Sequence, residues 1–229
     1  MINKNWVRTA VAAAILAGSG SVMAEVTGNV AVVSDYVFDG ISQTDNGPAL
    51  QGGVDWSAES GLYAGAWAST VDFGEGSDSN LETDWYVGYG FGSDDVAFDV
   101  GVVFYKYLPS GDDIDYNEIY FGVTFAENLT LKYWYADDVI NSGLSNSRIK
   151  ATYSAAINDD WSIPLEFTVN DPEEGDSYNH YKVGVATTLG SINAELSYQK
   201  TDIDDEGDDD FADIVYSDGG FVLSLSMDF

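Results

Sequence analysis

The feature of this 229-residue sequence that most limits its fold is a strict two-residue alternation of apolar and polar side chains, renewed roughly every ten residues. Leu81, Thr83, Trp85, Val87, Tyr89 and Phe91 alternate with Glu82, Asp84, Tyr86, Gly88 and Gly90. Trp161, Ile163, Leu165, Phe167 and Val169 alternate with Ser162, Pro164, Glu166, Thr168 and Asn170, and the pattern returns at 49–59 and 179–189. Helical periodicity is almost absent beyond residue 24. A chain with one apolar and one polar face on nearly every segment folds as an all-β structure.

Twelve segments read as strands: 28–39, 49–59, 62–72, 81–91, 96–107, 116–125, 129–137, 148–157, 161–170, 179–189, 192–201 and 219–229. Short connections at 60–61, 92–95, 126–128, 158–160 and 190–191 alternate with longer ones at 40–48, 73–80, 108–115, 138–147, 171–178 and 202–218. That rhythm predicts a transmembrane antiparallel up-and-down β-barrel, with tight periplasmic turns, longer extracellular loops and both termini on the periplasmic side. Ser60-Gly61 and Gly190-Ser191 suit two-residue hairpins. The last strand carries Phe221, Leu223, Leu225, Met227 and Phe229 on one face. A terminal strand of this kind resembles the signal read by the outer-membrane barrel assembly machinery, with Phe229 as its end.

Alternation does not say which face is wet. A soluble lipocalin-like barrel puts its apolar face inside; a membrane barrel puts it outside. Twelve strands exceed the eight whose side chains comfortably fill an interior, and the polar face is rich in charged and small residues, so the membrane arrangement is the expectation. Tyr105, Tyr107, Tyr116, Tyr120, Tyr133, Trp134, Tyr135, Trp161 and Tyr178 lie near strand ends and are expected to form the interfacial girdles.

Lys4 and Arg8, the apolar run Thr9–Gly18 and the Val22-Met23-Ala24 site read as a cleaved signal peptide over 1–24, which leaves 25–229 as the barrel and implies the general secretory route. The apolar run is about half the ~20 residues that a spanning anchor helix needs. The whole chain carries a net charge of −31, and cleavage removes two bases and no acid. Such a chain repels nucleic acid and attracts cations. The absence of Cys excludes disulfides and thiolate metal sites.

Residues 34–69 carry a resemblance. Ser34-Asp35-Tyr36-Val37-Phe38-Asp39-Gly40-Ile41-Ser42-Gln43-Thr44 is followed by Pro48-Ala49-Leu50-Gln51-Gly52-Gly53, then by Ser60-Gly61-Leu62-Tyr63 and Gly65-Ala66-Trp67-Ala68-Ser69. This resembles the TorF-type porins, also described as a Gcw-type conserved domain. The resemblance implies an outer-membrane barrel, and its motif positions here are Ser34, Asp35, Tyr36, Phe38, Asp39, Gly40, Ser42, Gln43, Gln51, Gly52, Gly53 and Trp67. The family pattern usually has Arg where this chain has Asp39.

Three groups of residues are candidates for chemistry. Lys132, Arg148, Lys150 and Lys182 fall on polar faces of the seventh, eighth and tenth strands, with Glu166 between them and Glu118 beside them. They read either as a charged constriction that selects solutes or as a salt-bridge network that braces or plugs the lumen. His180, the single histidine, lies on the polar face, and no Gly-x-Ser-x-Gly elbow accompanies it. Asp202, Asp204, Glu206, Asp208, Asp210 and Asp213 stand at the offsets of a Ca²⁺ loop, but Asp213 replaces the usual Glu and the flanks read as strands. A solvated acidic loop is favoured there, with weak Ca²⁺ or Mg²⁺ binding as the alternative. The six long connections hold 20 acidic residues and no Lys or Arg, so the outer rim is strongly negative.

The sequence therefore predicts a passive, cofactor-free channel for small solutes or ions, and not an enzyme. Its expected partners are outer-membrane lipid, lipopolysaccharide and the assembly machinery, with no nucleic acid. A non-conducting structural or adhesion barrel is the first alternative, and an outer-membrane lipid hydrolase using His180 the second.

Overall fold

The computed structural model describes residues 24–109, 114–203 and 214–229. The expected signal segment, apart from Ala24, lies outside them, as do Asp204, Glu206, Asp208, Asp210 and Asp213 of the acidic loop. Twelve strands span the structure: β1 (Glu25–Val33), β4 (Ala49–Ser57), β5 (Leu62–Thr70), β6 (Leu81–Gly92), β7 (Val96–Leu108), β8 (Tyr116–Phe125), β9 (Leu129–Ala136), β10 (Asn146–Ala156), β11 (Trp161–Pro172), β12 (Tyr178–Leu189), β13 (Ile192–Thr201) and β14 (Gly220–Asp228). Two more, β2 (Val37–Phe38) and β3 (Ile41–Ser42), form a small separate hairpin. Each spanning strand pairs antiparallel with its neighbours, and β1 pairs with β14 from Asn29↔Asp228 to Val33↔Ser224, which closes the barrel. The twelve predicted strands are all present, and the alternation of short and long connections is retained.

Polarity is inverted relative to a soluble protein. Val32, Leu50, Trp85, Ile119, Leu196 and Phe221 point outward and are each at least 51% exposed. Glu82, Glu118, Arg148 and His180 point inward and are at most 4% exposed. Period two forces this split, because successive side chains leave opposite faces of a strand. An apolar exterior around a charged interior is the arrangement that lipid imposes on a closed sheet, whose backbone groups are all paired between strands.

The structure corrects three local expectations. The first strand stops at Val33 and not at Asp39: the Ser34 hydroxyl accepts from the Leu223 backbone N–H at 3.0 Å, and the chain then turns into the barrel as β2–β3. Ser60-Gly61 is part of a four-residue connection, closed by hydrogen bonds from Ala58 N–H to Leu62 O and from Gly61 N–H to Ala58 O. Gly190-Ser191 is a two-residue turn, with Leu189 facing Ile192 and Gly190 at φ 69°. The third correction concerns the aromatics. Tyr133, Tyr135 and Trp161 face outward, but Tyr105, Tyr107, Tyr120, Trp134 and Tyr178 are buried inside, and Tyr116 packs against that interior cluster. Proximity to a strand end does not decide which face a ring takes; the parity of its position does.

The interior tyrosines lie flat across strands, and glycine makes room for them. A Cβ at Gly65 would strike the Tyr86 ring, one at Gly88 the rings of Tyr63 and Tyr120, and one at Gly101 the Tyr120 ring. The hydroxyls are then fixed: Tyr86 donates to Asp55 at 2.5 Å, Tyr63 donates to Asp99 at 2.5 Å, and Tyr63 and Tyr120 meet through their oxygens. Gly101→Ala is expected to lower stability by about 1–3 kcal/mol through overpacking. Gly122→Ala, where the nearest atom to a new Cβ is a flexible Lys132 carbon at 3.5 Å, should stay within about 0.5 kcal/mol. Urea unfolding of the two variants in lipid vesicles checks the contrast, and equal midpoints would contradict it.

Candidate functional site

The site begins with the segment between β1 and β4. Asp35, 4% exposed, organises it by accepting from the Ser42 hydroxyl at 2.6 Å, the Thr44 hydroxyl at 3.0 Å and the Tyr216 hydroxyl at 2.5 Å. Tyr36 packs edge-on against Trp67, with centroids 5.5 Å apart. The Gln43 N–H donates to Tyr36 O, and the Gln43 side chain donates to Ile41 O at 3.2 Å. Gln51 donates to Ser69 at 3.3 Å, and Gly53 lies against the Trp67 indole, where a Cβ would be 3.3 Å from Cδ1. Gly52 pairs with Val30 on one side and Ala68 on the other. The motif positions at 34–67 thus form one structural unit, an inward hairpin and the wall it leans on.

At the hairpin apex, Asp39 has φ 48° and Gly40 has φ 92°. Gly40 has no room for a side chain, because a Cβ there would meet Thr201 and His180. Its carbonyl accepts from the Thr201 hydroxyl at 2.9 Å, and Ile41 bridges to Val215. These contacts press the apex against β12 and β13 and bury Asp39 among the basic residues of β10.

The four basic residues singled out in the sequence all face the lumen, and each is matched by a carboxylate. Arg148 Nε lies 3.2 Å from Asp39, and its terminal nitrogen lies 2.6 Å from Glu118. Lys150 Nζ lies 2.8 Å from Asp39 and 3.1 Å from Glu166. Lys132 pairs with Asp99 at 2.9 Å, and Lys182 with Glu195 at 2.6 Å. Burial alone would raise the Asp39 carboxyl, but Lys150 and Arg148 outweigh it and hold the group below its ordinary value. The Arg148 guanidinium lies over the Phe38 ring at 4.6 Å and the Trp134 ring at 4.7 Å, and it also donates to the Tyr105 hydroxyl at 3.3 Å. That hydroxyl in turn donates to Glu118 at 2.8 Å.

Three of the five carboxylates in this network, Asp39, Asp99 and Glu195, were not among the charged candidates. Asp39 stands out in the sequence as a motif position and as a departure from the family's Arg, not as a partner of the bases. Their signal was present as acidic residues at lumen parity, but which base each one meets depends on strand stagger and on the inward hairpin.

His180 is 2% exposed and lies inside the barrel, with Nε2 3.0 Å from the Gln199 side-chain oxygen and Nδ1 3.7 Å from Glu166. It does not face lipid, where an outer-membrane lipid hydrolase would need it. Asp202 accepts from the backbone N–H of Asn179 and, at 2.7 Å, from the Asn179 side chain. Among the described residues no group of three or more His, Asp or Glu is arranged to hold a metal ion.

The fold is similar to that of the KdgM porin, which is 8% identical with a TM-score of 0.56 over 89% of this chain and 98% of that one. It is equally similar to the NanC porin, 12% identical with a TM-score of 0.56 over 90% of this chain and 99% of that one. No curated protein matches the chain. Residues 17–227 match the family described as a bacterial protein of unknown function, Gcw_chp, and the chain belongs to that family.

Proposed function

We propose that the chain is a narrow outer-membrane channel for passive diffusion of small solutes or ions, as its resemblance to TorF-type porins implies. The observation that carries this reading is a charged lumen wall inside an apolar barrel, with water still reaching part of it. The side chains of Lys150, Glu166 and Lys182 keep 21%, 20% and 14% exposure. They mark a wet strip along β10, β11 and β12, whereas the wall from β5 to β9 carries a cluster of tyrosine and tryptophan rings.

Asp45, Glu75, Asp78, Asp138, Glu173, Glu174 and Asp176 are exposed on the long-loop side. They concentrate cations at the mouth, with an effect that shrinks as salt rises. Planar-bilayer recordings should give a small conductance with weak cation preference, stronger at low ionic strength. Clear anion selectivity of the native chain would overturn the role given to the rim. Silence in bilayers together with no swelling of loaded liposomes would remove the channel.

One observation favours a second reading, a non-conducting structural barrel. Asp39, Glu118, Arg148, Thr168 and His180 are all at most 4% exposed, so the hairpin and its ion pairs fill much of the lumen at that depth. The same swelling assay separates the two readings. In either case the proposal includes export through the general secretory route with cleavage after Ala24, delivery by the barrel assembly machinery and residence among outer-membrane lipid and lipopolysaccharide. It requires no cofactor, and any Ca²⁺ or Mg²⁺ held by the acidic loops is weakly bound.

A further inference from the structure

Asp39 reaches its place from outside the barrel wall. It is delivered on the tip of a hairpin and set between two cations that project side by side from β10. Arg148 uses two separate edges of its guanidinium, the terminal nitrogen toward Glu118 and Nε toward Asp39. Lys150 Nζ likewise stands between two carboxylates, 3.1 Å from Glu166 and 2.8 Å from Asp39. Each base therefore keeps a carboxylate from the wall if Asp39 leaves, and each then turns its positive charge toward the same vacated point. A guanidinium and an ammonium converging on one position suit a carboxylate, with one oxygen for each base, as Asp39 Oδ2 and Oδ1 now show.

We propose that Arg148 and Lys150 form a binding subsite for the carboxylate of an anionic solute, and that Asp39 is a tethered occupant of it. The inference rests on the channel reading and names the class of solute that the lumen recognises. Withdrawal of the apex also takes Phe38 away from the guanidinium and leaves Trp134 beside it. A carboxylate with an apolar or ring-shaped body then has a surface to lie against. A third carboxylate facing two bases is already tolerated by the fold, so a bound anion restores the native charge pattern.

The tether sets the affinity. A carboxylate on a short loop competes at an effective concentration on the order of millimolar, so a free solute displaces it only when comparably abundant. Weak binding of this kind suits a conduit, which must release what it takes up.

The test uses succinate as probe on the purified barrel in detergent, by titration calorimetry, and in planar bilayers, by block of single-channel current. Asp39→Asn and Asp39→Gly both tolerate the left-handed backbone at this position, so both should fold. Succinate should bind Asp39→Asn at least tenfold more tightly than the native chain, and Asp39→Gly more tightly still, because glycine empties the subsite. Adding Lys150→Gln to Asp39→Gly should return affinity to the native level. Unchanged affinity in both single variants overturns the subsite, even if every channel conducts. Tightened binding without conductance in any variant supports the subsite and refutes the channel.

Discussion

Arg148→Met is expected to lower the stability of the barrel by about 3–5 kcal/mol, the usual loss when one member of a buried ion pair is removed and the other stays behind. Two carboxylates lose a partner here, not one: Glu118 and Asp39 are 1% and 2% exposed, and both pair with this guanidinium. Lys150 still serves Asp39, but among the described salt bridges Glu118 has no other cation. Arg148→Lys should fall between, since it keeps the charge but cannot span both acids in the fork geometry. Lys182→Met should lose less, because the Lys182 side chain keeps 14% exposure and water can reach part of the pair. Urea unfolding in lipid vesicles, followed by far-ultraviolet dichroism and by the gel-mobility shift of folded barrels, measures all three. A loss below about 1 kcal/mol for Arg148→Met would mean that water solvates this level of the lumen as freely as bulk.

Leu196→Arg carries the second large effect, and it tests the assignment of faces. Leu196 lies midway along β13 and is 51% exposed on the outer surface. An arginine at mid-depth on a lipid-facing strand costs about 2–4 kcal/mol, falling to about 0–1 near an interface. Leu189→Arg, at the turn end of β12, is the matched control at 63% exposure. In a protein whose exterior met water, both substitutions would be close to neutral. The depth dependence, measured by vesicle unfolding, thus separates lipid from solvent around the same sheet.

The strands were legible because lipid on one side and polar groups on the other impose period two on every spanning segment. The pairing order followed from the alternation of short and long connections. Alternation also explains the error at the first strand. Tyr36 and Phe38 continue the pattern beyond Val33, but they do so as inward-packed residues of a hairpin, against Trp67 and over Arg148. Local pattern does not distinguish a strand that continues from one that folds back. The basic half of the lumen network could be read from parity alone. The acidic half was read only in part, as Glu118 and Glu166: Asp39 and Asp99 are far from their partners in sequence, and meet them only through the inward hairpin and the stagger of a tilted barrel. The lumen tyrosines were misplaced for another reason, since nearness to a strand end was weighed above the parity that puts Tyr105, Tyr107 and Tyr120 on the inner face.

The seam between β1 and β14 has a consequence for the order of events in biogenesis. Gly28 and Phe229 exchange backbone hydrogen bonds at 2.8 and 2.9 Å, and the Phe229 ring covers the place where a Gly28 side chain would stand. The two edges that meet here belong to the first and the last spanning strands in chain order. Until the second is present, the first is paired on one side only, to β4, and the partly made sheet carries two raw borders able to capture strangers. Enclosure of the sheet therefore waits for its last strand, and both borders stay open until that strand arrives.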